Sequence, residues 1–304
     1  MSTTTNRSRP KGMFVGLAAV DISYTVDKIP RRNQKISVEG QQLSAGGPSA
    51  NAAATFAFLG GRAELVTAIG AHPLAAIIHS DLDRFAIAVR DMARHRKEPP
   101  PVSSIMILRG GGERTVVSAN ASIFPNAPAK FNPRWLSGVS ILQVDGHYMP
   151  LCISAARAAG GRGIPVVLDS GSWKPGMNAL VRLVDIAICS DDYRPEGCRD
   201  AADVLEFLSM RGIRRVAITR GSNSIRFLDG EEQGKIAVRK TRAIDTLGAG
   251  DIFHGAFCYF VSQSGSGFRE ALAAAARVAT FSCEYPGTRS WMQNFATAKK
   301  PAAG

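Results

Sequence analysis

Four apolar runs between residues 139 and 219 decide the fold: Val139-Ser140-Ile141-Leu142-Gln143-Val144, Ile164-Pro165-Val166-Val167-Leu168-Asp169, Ile186-Ala187-Ile188-Cys189 and Val216-Ala217-Ile218-Thr219. Each is strand-length, and β-branched residues dominate. Helical composition fills the gaps near 150–160, 175–183 and 200–211. Continuous apolar strands alternating with helices predict a parallel sheet covered on both faces. Working outward, Met13–Val20 reads as another buried strand ending at Asp21, and Glu64–Ile69 as the next. Ser49–Leu59 reads as a helix with Ser49 as N-cap and Gly60-Gly61 as its stop. His72–Arg94 reads as mostly helical. Asp229-Gly230 predicts a hairpin between 225–228 and 235–238. Two helices, near 250–262 and 268–284, close the chain. Residues 22–45 and 102–119 are half-exposed strands that do not fit the alternation, and they predict a small antiparallel flap.

The 304 residues suit one α/β body, 12–295, with lid strands from 22–45 and 102–119 and tails at 1–11 and 296–304. Apolar residues make up 45 % and charged residues 20 %, which excludes a wholly disordered chain. The formal charge of +12 raises nucleic acid as a partner. However, Arg7, Arg9, Lys11, Lys299 and Lys300 lie in the tails, and the cluster Arg90–Lys97 has no interleaved aromatics. The expectation is no nucleic-acid partner. Five cysteines without a CxxC pair read as free thiols in a reducing cytosol, so a cytoplasmic location is expected. The uncharged stretch Ile252–Phe268 carries His254, Gln263, serines and glycines, so no membrane span is expected. Walker, GxGxxG, GxSxG and HExxH motifs are all missing.

Two glycine-containing turns are the candidates for chemistry, each of which could also be an ordinary turn and helix cap. In Asp245-Thr246-Leu247-Gly248-Ala249-Gly250-Asp251, three small residues open a helix. Their N–H groups have no intrahelical acceptor and make an anion hole at the helix N-terminus. Asp251 sits beside that hole. Either it caps the helix, or it takes a proton from a hydroxyl attacking a phosphoryl group held there. In Gly46-Gly47-Pro48-Ser49-Ala50-Asn51, two glycines allow close backbone approach to a ligand. Asn51 can donate and accept, as a sugar hydroxyl requires. Asp21, expected at the carboxyl end of the first strand, is a third ligand candidate.

In that order the two turns make the chain resemble the ribokinase-like (PfkB-type) carbohydrate kinases over about Phe14 to Trp291. The resemblance implies a three-layer α/β sandwich with a mainly parallel central sheet and a small β-sheet lid. It also implies transfer of the ATP γ-phosphate to a hydroxyl of a carbohydrate or sugar acid, with Mg²⁺. By the same resemblance Asp251 is the base, and Gly248, Ala249 and Gly250 form the anion hole. Asp21, Gly46, Gly47 and Asn51 bind the sugar. Thr219, Gly221 and Ser222 meet the nucleotide. Asp245 and Cys283 fall where many members hold potassium. The family's N-x-x-E motif is replaced by Ser190-Asp191-Asp192-Tyr193, so Asp191 is the candidate for contacts to Mg²⁺. A nucleoside kinase of the same fold and a non-catalytic sugar- or nucleotide-binding regulator remain alternatives. Exposed lid edges suit a homodimer.

Overall fold

The computed structural model describes residues 9–124 and 129–298. The chain begins with β1 (Lys11–Val15), β2 (Ala19–Val26) and β3 (Gln41–Gly46), then α1 (Pro48–Phe58). Next come β4 (Arg62–Thr67), α2 (Ala75–Asp83), β5 (Ala88–Asp91) and the hairpin β6 (Val102–Leu108) and β7 (Arg114–Ser118). The regular alternation is β8 (Ile141–Val144), α3 (Met149–Gly160), β9 (Val166–Ser170), α4 (Met177–Val181), β10 (Ile186–Ser190), α5 (Ala201–Ser209) and β11 (Arg215–Arg220). The hairpin β12 (Asn223–Asp229) and β13 (Glu232–Ile236) leads to α6 (Ala249–Val261), α7 (Phe268–Ser282) and α8 (Ser290–Ala298).

Nine strands form one sheet in the order β13-β12-β11-β10-β9-β8-β1-β4-β5. Pairing is parallel from β11 to β5, and β12 and β13 join antiparallel. The apolar runs predicted this, because every residue of β8 and β9 is buried. Helices α1, α2, α6, α7 and α8 cover one face, and α3, α4 and α5 cover the other. The chain reverses its direction of winding at β1, which lies between β4 and β8. Crevices form at such a point, at the carboxyl ends of the strands.

Several expectations are corrected. Met13–Val20 is not one strand. The chain breaks at Gly16, where any Cβ would fall 2.0 Å from the buried Asp145 carboxylate. Asp21 therefore lies inside β2, in the lid, and not at the end of the first central strand. His72–Arg94 is only partly helical, because α2 ends at Asp83 and the chain returns as edge strand β5. Ser49 is not the cap of α1. Gly47 caps it at φ 91, and Pro48 at the first turn removes a donor that needs no partner. The Ser49 hydroxyl instead donates to Asp145 (2.8 Å). A third helix, α8, follows the two expected at the end and includes residues 296–298. Lys11 belongs to β1 and pairs with Glu64 at 2.6 Å. Arg7, Lys299 and Lys300 lie outside the described residues.

The lid is a four-stranded sheet ordered β3-β2-β6-β7. It is mixed and not wholly antiparallel, since β2 and β6 pair in parallel. A hairpin would give antiparallel strands, but β2 and β6 are separated by the whole of β3 to β5 and enter from the same end. Cross-strand register places Asp21 opposite Ser44 and Ser103.

Candidate active site

The lid is docked on the 245–251 turn. Arg114 donates through Nη1 to the Thr246 hydroxyl (2.8 Å) and carbonyl (3.0 Å). The Thr246 hydroxyl in turn donates to the Gly112 carbonyl (3.0 Å). The lid hairpin is thus held against the residues that open α6.

At that opening Gly248 is the N-cap, at φ 67, where a left-handed backbone suits glycine. A Cβ there would lie 2.7 Å from the Thr288 methyl. Ala249 and Gly250 occupy the first helical positions, although the Ala249 N–H makes a long 3.3 Å contact to the Thr246 carbonyl. Asp251 does not cap the helix. Its Oδ2 accepts from Asn51 Nδ2 at 2.8 Å, across 200 residues of chain. The two glycine turns therefore meet at one point. The approach depends on Gly255, one turn further along α6, where a Cβ would lie 2.2 Å from the Ala52 carbonyl of α1.

Burial raises the Asp251 carboxyl to about 7, reinforced by the nearby Asp169 and opposed by the hydrogen bond from Asn51. Burial likewise raises Asp21 to about 6, against the lowering effects of Ser103 and Arg289. Gly46 makes room for Asp21, because a Cβ at Gly46 would fall 2.0 to 2.2 Å from the Asp21 carboxylate atoms. Gly47 passes so close to the Leu17 carbonyl that a Cβ would approach it to 2.5 Å. Asp21, Gly46, Gly47, Asn51 and Asp251 are thus brought close together.

Behind Asp251 lies a polar cluster that sequence reasoning missed. Asp169, the penultimate residue of β9, is 8 % exposed and accepts from Gln143 Nε2 (3.2 Å). His254 Nε2 lies 3.1 Å from the Ile188 carbonyl and its Nδ1 lies 2.7 Å from the Gly250 carbonyl. Nδ1 also lies 3.4 Å from Asp169. Burial pushes the Asp169 carboxyl up and the His254 imidazole down, so burial favours the uncharged form of each. Asp145 directly follows β8 and accepts from the Leu17 N–H, the His147 N–H and the Ser49 hydroxyl, tying the β1 crossover to α1. Both aspartates end apolar runs, so the rule that singled out Asp21 would have found them. Asp81 and Arg289, described below, lie in stretches with no local signal.

A cavity of about 550 Å³ continues from Gly250 and is lined by Thr219, Gly221, Ser222, Asp191, Asp192, Arg114 and Cys283, among others. The residues expected to meet the nucleotide therefore share one cavity with Ala249 and Gly250 at the opening of α6. The Thr219 hydroxyl donates to the Cys189 carbonyl (3.3 Å). Asp191 makes only loose ion pairs, with Arg220 (3.5 Å) and Arg194 (3.7 Å). One or two carboxylates beside a phosphate site are a donor set that suits Mg²⁺. Asp245 and Cys283 also meet. The Cys283 carbonyl accepts from the Ile244 and Asp245 N–H groups, and the buried Asp245 carboxylate accepts from Leu247 and Gly287.

Residues 10–294 match the family described as pfkB family carbohydrate kinase. A ribokinase of Arabidopsis thaliana is 26 % identical over 293 residues, covering 91 % of this chain and 77 % of its own length. A ribokinase of Staphylococcus aureus is 26 % identical over 278 residues, covering 86 % and 90 %. Among solved structures, Arabidopsis thaliana ribokinase complexed with ribose and ATP shares the fold with a TM-score of 0.76 at 23 % identity, covering 92 % of this chain and 94 % of that one.

Proposed function

The chain belongs to the pfkB family of carbohydrate kinases, and from that membership we propose that Asp251 is the general base that readies a sugar hydroxyl for attack on ATP. The protein is an ATP-dependent sugar kinase. The observation that carries the residue assignment is the 2.8 Å contact joining Asn51 to Asp251 directly beside the opening of α6. A sugar lying over Asp21, Gly47 and Asn51 would present its hydroxyl to Asp251. The N–H groups at 248–250 would face the charge that develops on the transferring phosphoryl group, where electrostatic stabilisation counts most. Thr219, Gly221 and Ser222 would border the nucleotide. Asp191, with Asp192, would hold Mg²⁺, which supplies neutralising charge to the phosphates when bound. Asp21 and Asp251 lie together beside Asn51, and the neighbouring Arg289 is hydrogen-bonded to protein partners. This favours an uncharged polyhydroxylated acceptor over a sugar acid. A panel of neutral sugars, sugar acids and nucleosides, scored for ADP and for phosphorylated product, tests the reading. Binding of ATP and sugar with no product from any of them would overturn it.

Two outcomes follow from the geometry. The base must be ionised, and Asp251 is raised to about 7, so kcat is expected to fall as pH drops through about 7 and to level off above it. A flat kcat profile from pH 5.5 to 8.5 would contradict this. Arg114→Ala removes both contacts to Thr246, so the lid should close less firmly. The expected result is a rise of about threefold or more in the ratio of ADP to sugar phosphate formed, because an open lid admits water. Lid strands also leave Leu43 and Val117 exposed, which suits pairing with a second copy. Among the described residues no helix is long and apolar enough to cross a membrane.

A further inference from the structure

We propose that Arg289 is a positioning residue. It fixes the amide of Asn51 so that its NH₂ faces Asp251, leaving one chosen carboxylate oxygen for the acceptor hydroxyl. This rests on the reading of Asp251 as the base. Arg289 lies in the turn before α8, and its side chain is 9 % exposed. A guanidinium has five N–H donors and no acceptor. Here Nε and Nη2 both reach Asp81 Oδ2 at 3.0 Å. Nη2 also donates to the Ala45 carbonyl (3.2 Å). Nη1 donates to Asn51 Oδ1 (2.9 Å) and to the Thr288 carbonyl (3.3 Å). Four hydrogen bonds and one further ion-pair contact thus engage the guanidinium. The Phe85 ring, 5.7 Å from the guanidinium carbon, closes one side.

The consequence falls on Asn51. A carboxamide accepts at one end and donates at the other, and nothing in its shape prevents a flip. Arg289 removes that freedom, because a flipped Asn51 would set its NH₂ against the guanidinium and its oxygen against the Asp251 carboxylate. In the observed state Asn51 Oδ1 accepts from the arginine and Nδ2 donates to Asp251 Oδ2. The other carboxylate oxygen, Oδ1, remains for the hydroxyl proton. Asp81 on α2 holds the guanidinium in place, while also accepting from the Ala45 N–H at 3.3 Å. The relay Asp81–Arg289–Asn51–Asp251 thereby joins α2, the turn before α8, α1 and α6.

The groups facing Asp251 are Asn51 from α1, Asp21 from β2, Asp169 from β9, His254 from α6 and Arg289 from the turn before α8. Both the charge of Arg289 and the hydrogen bond it sustains favour an ionised Asp251. Arg289→Met is therefore expected to lower kcat by about 10- to 100-fold with KM for ATP nearly unchanged. Its acid limb should move up by about half a pH unit or more. Arg289→Lys keeps the charge but cannot span both partners, and it should fall between the two. Because Arg289→Met removes a buried partner of Asp81, thermal unfolding accompanies the assay. The milder lysine variant is also combined with Asn51→Ala. If Arg289 acts through Asn51, adding Arg289→Lys to Asn51→Ala should cost little further activity. Additive losses, or an unmoved acid limb with activity tracking the folded fraction, would reduce Arg289 to a structural role and overturn the proposal. Near-normal turnover by Asp251→Asn would instead remove the base reading on which it rests.

Discussion

Asp251→Asn is expected to lower kcat by at least ~10²–10³, the usual scale for losing a general base, with the melting temperature unchanged or slightly raised. The two halves of that expectation have separate causes. An asparagine at 251 keeps an acceptor for Asn51 Nδ2, so the contact between α1 and α6 survives. It also removes a carboxylate whose ionisation is opposed by burial and by Asp169, so nothing favourable to folding is lost near neutral pH. What disappears is the capacity to accept a proton. Turnover on the best substrate of the panel, measured beside thermal unfolding, checks both halves. Near-normal phosphorylation by a well-folded variant would falsify the assignment of the base.

Gly255→Ala is expected to cost about 2 kcal/mol or more of stability, in the range of overpacked contacts. This should occur even though alanine in a helix interior ordinarily gains about 1 kcal/mol over glycine. The new methyl would lie 2.2 Å from the Ala52 carbonyl and 2.8 to 2.9 Å from two further backbone atoms. Backbone cannot rotate out of the way, so α1 and α6 must separate. Separation pulls Asn51 from Asp251, and a shift of about 1 Å in a reacting geometry can cost on the order of 10²-fold in rate. Falls in melting temperature and in kcat should therefore appear together. An alanine variant as stable and active as the parent would show that the helix contact does not set the site.

Much of the fold was legible because buried parallel strands need an unbroken apolar run, and the four runs from Val139 to Thr219 supply it. The lid was legible as strands but not in its pairing. Nothing local distinguishes a parallel neighbour from an antiparallel one, and β6 reaches β2 across some eighty residues of intervening chain. Asp21 was chosen for a strand end it does not occupy. It still comes close to Asp251, because Gly16 breaks the strand and the chain continues into β2, which carries Asp21. The helix expected over His72–Arg94 failed where Ala86, at φ 51, turns the chain toward edge strand β5.

By itself the sequence determined the family, the α/β alternation and the two turns whose small residues leave helix N-termini open. Those properties belong to local backbone chemistry. A glycine permits a positive φ, and an unpaired N–H at a helix start attracts an anion, whatever lies elsewhere. Only the tertiary structure decided which side chains meet. It set Asn51 on Asp251, buried Asp169 against His254, and brought Arg289 onto Asp81, Asn51 and Ala45 from distant segments. Burial and charge proximity depend on how the helices pack over the sheet. No spacing along the chain encodes the field at a carboxylate, so the pKa of Asp251 and the orientation of Asn51 appear only once the chain is folded.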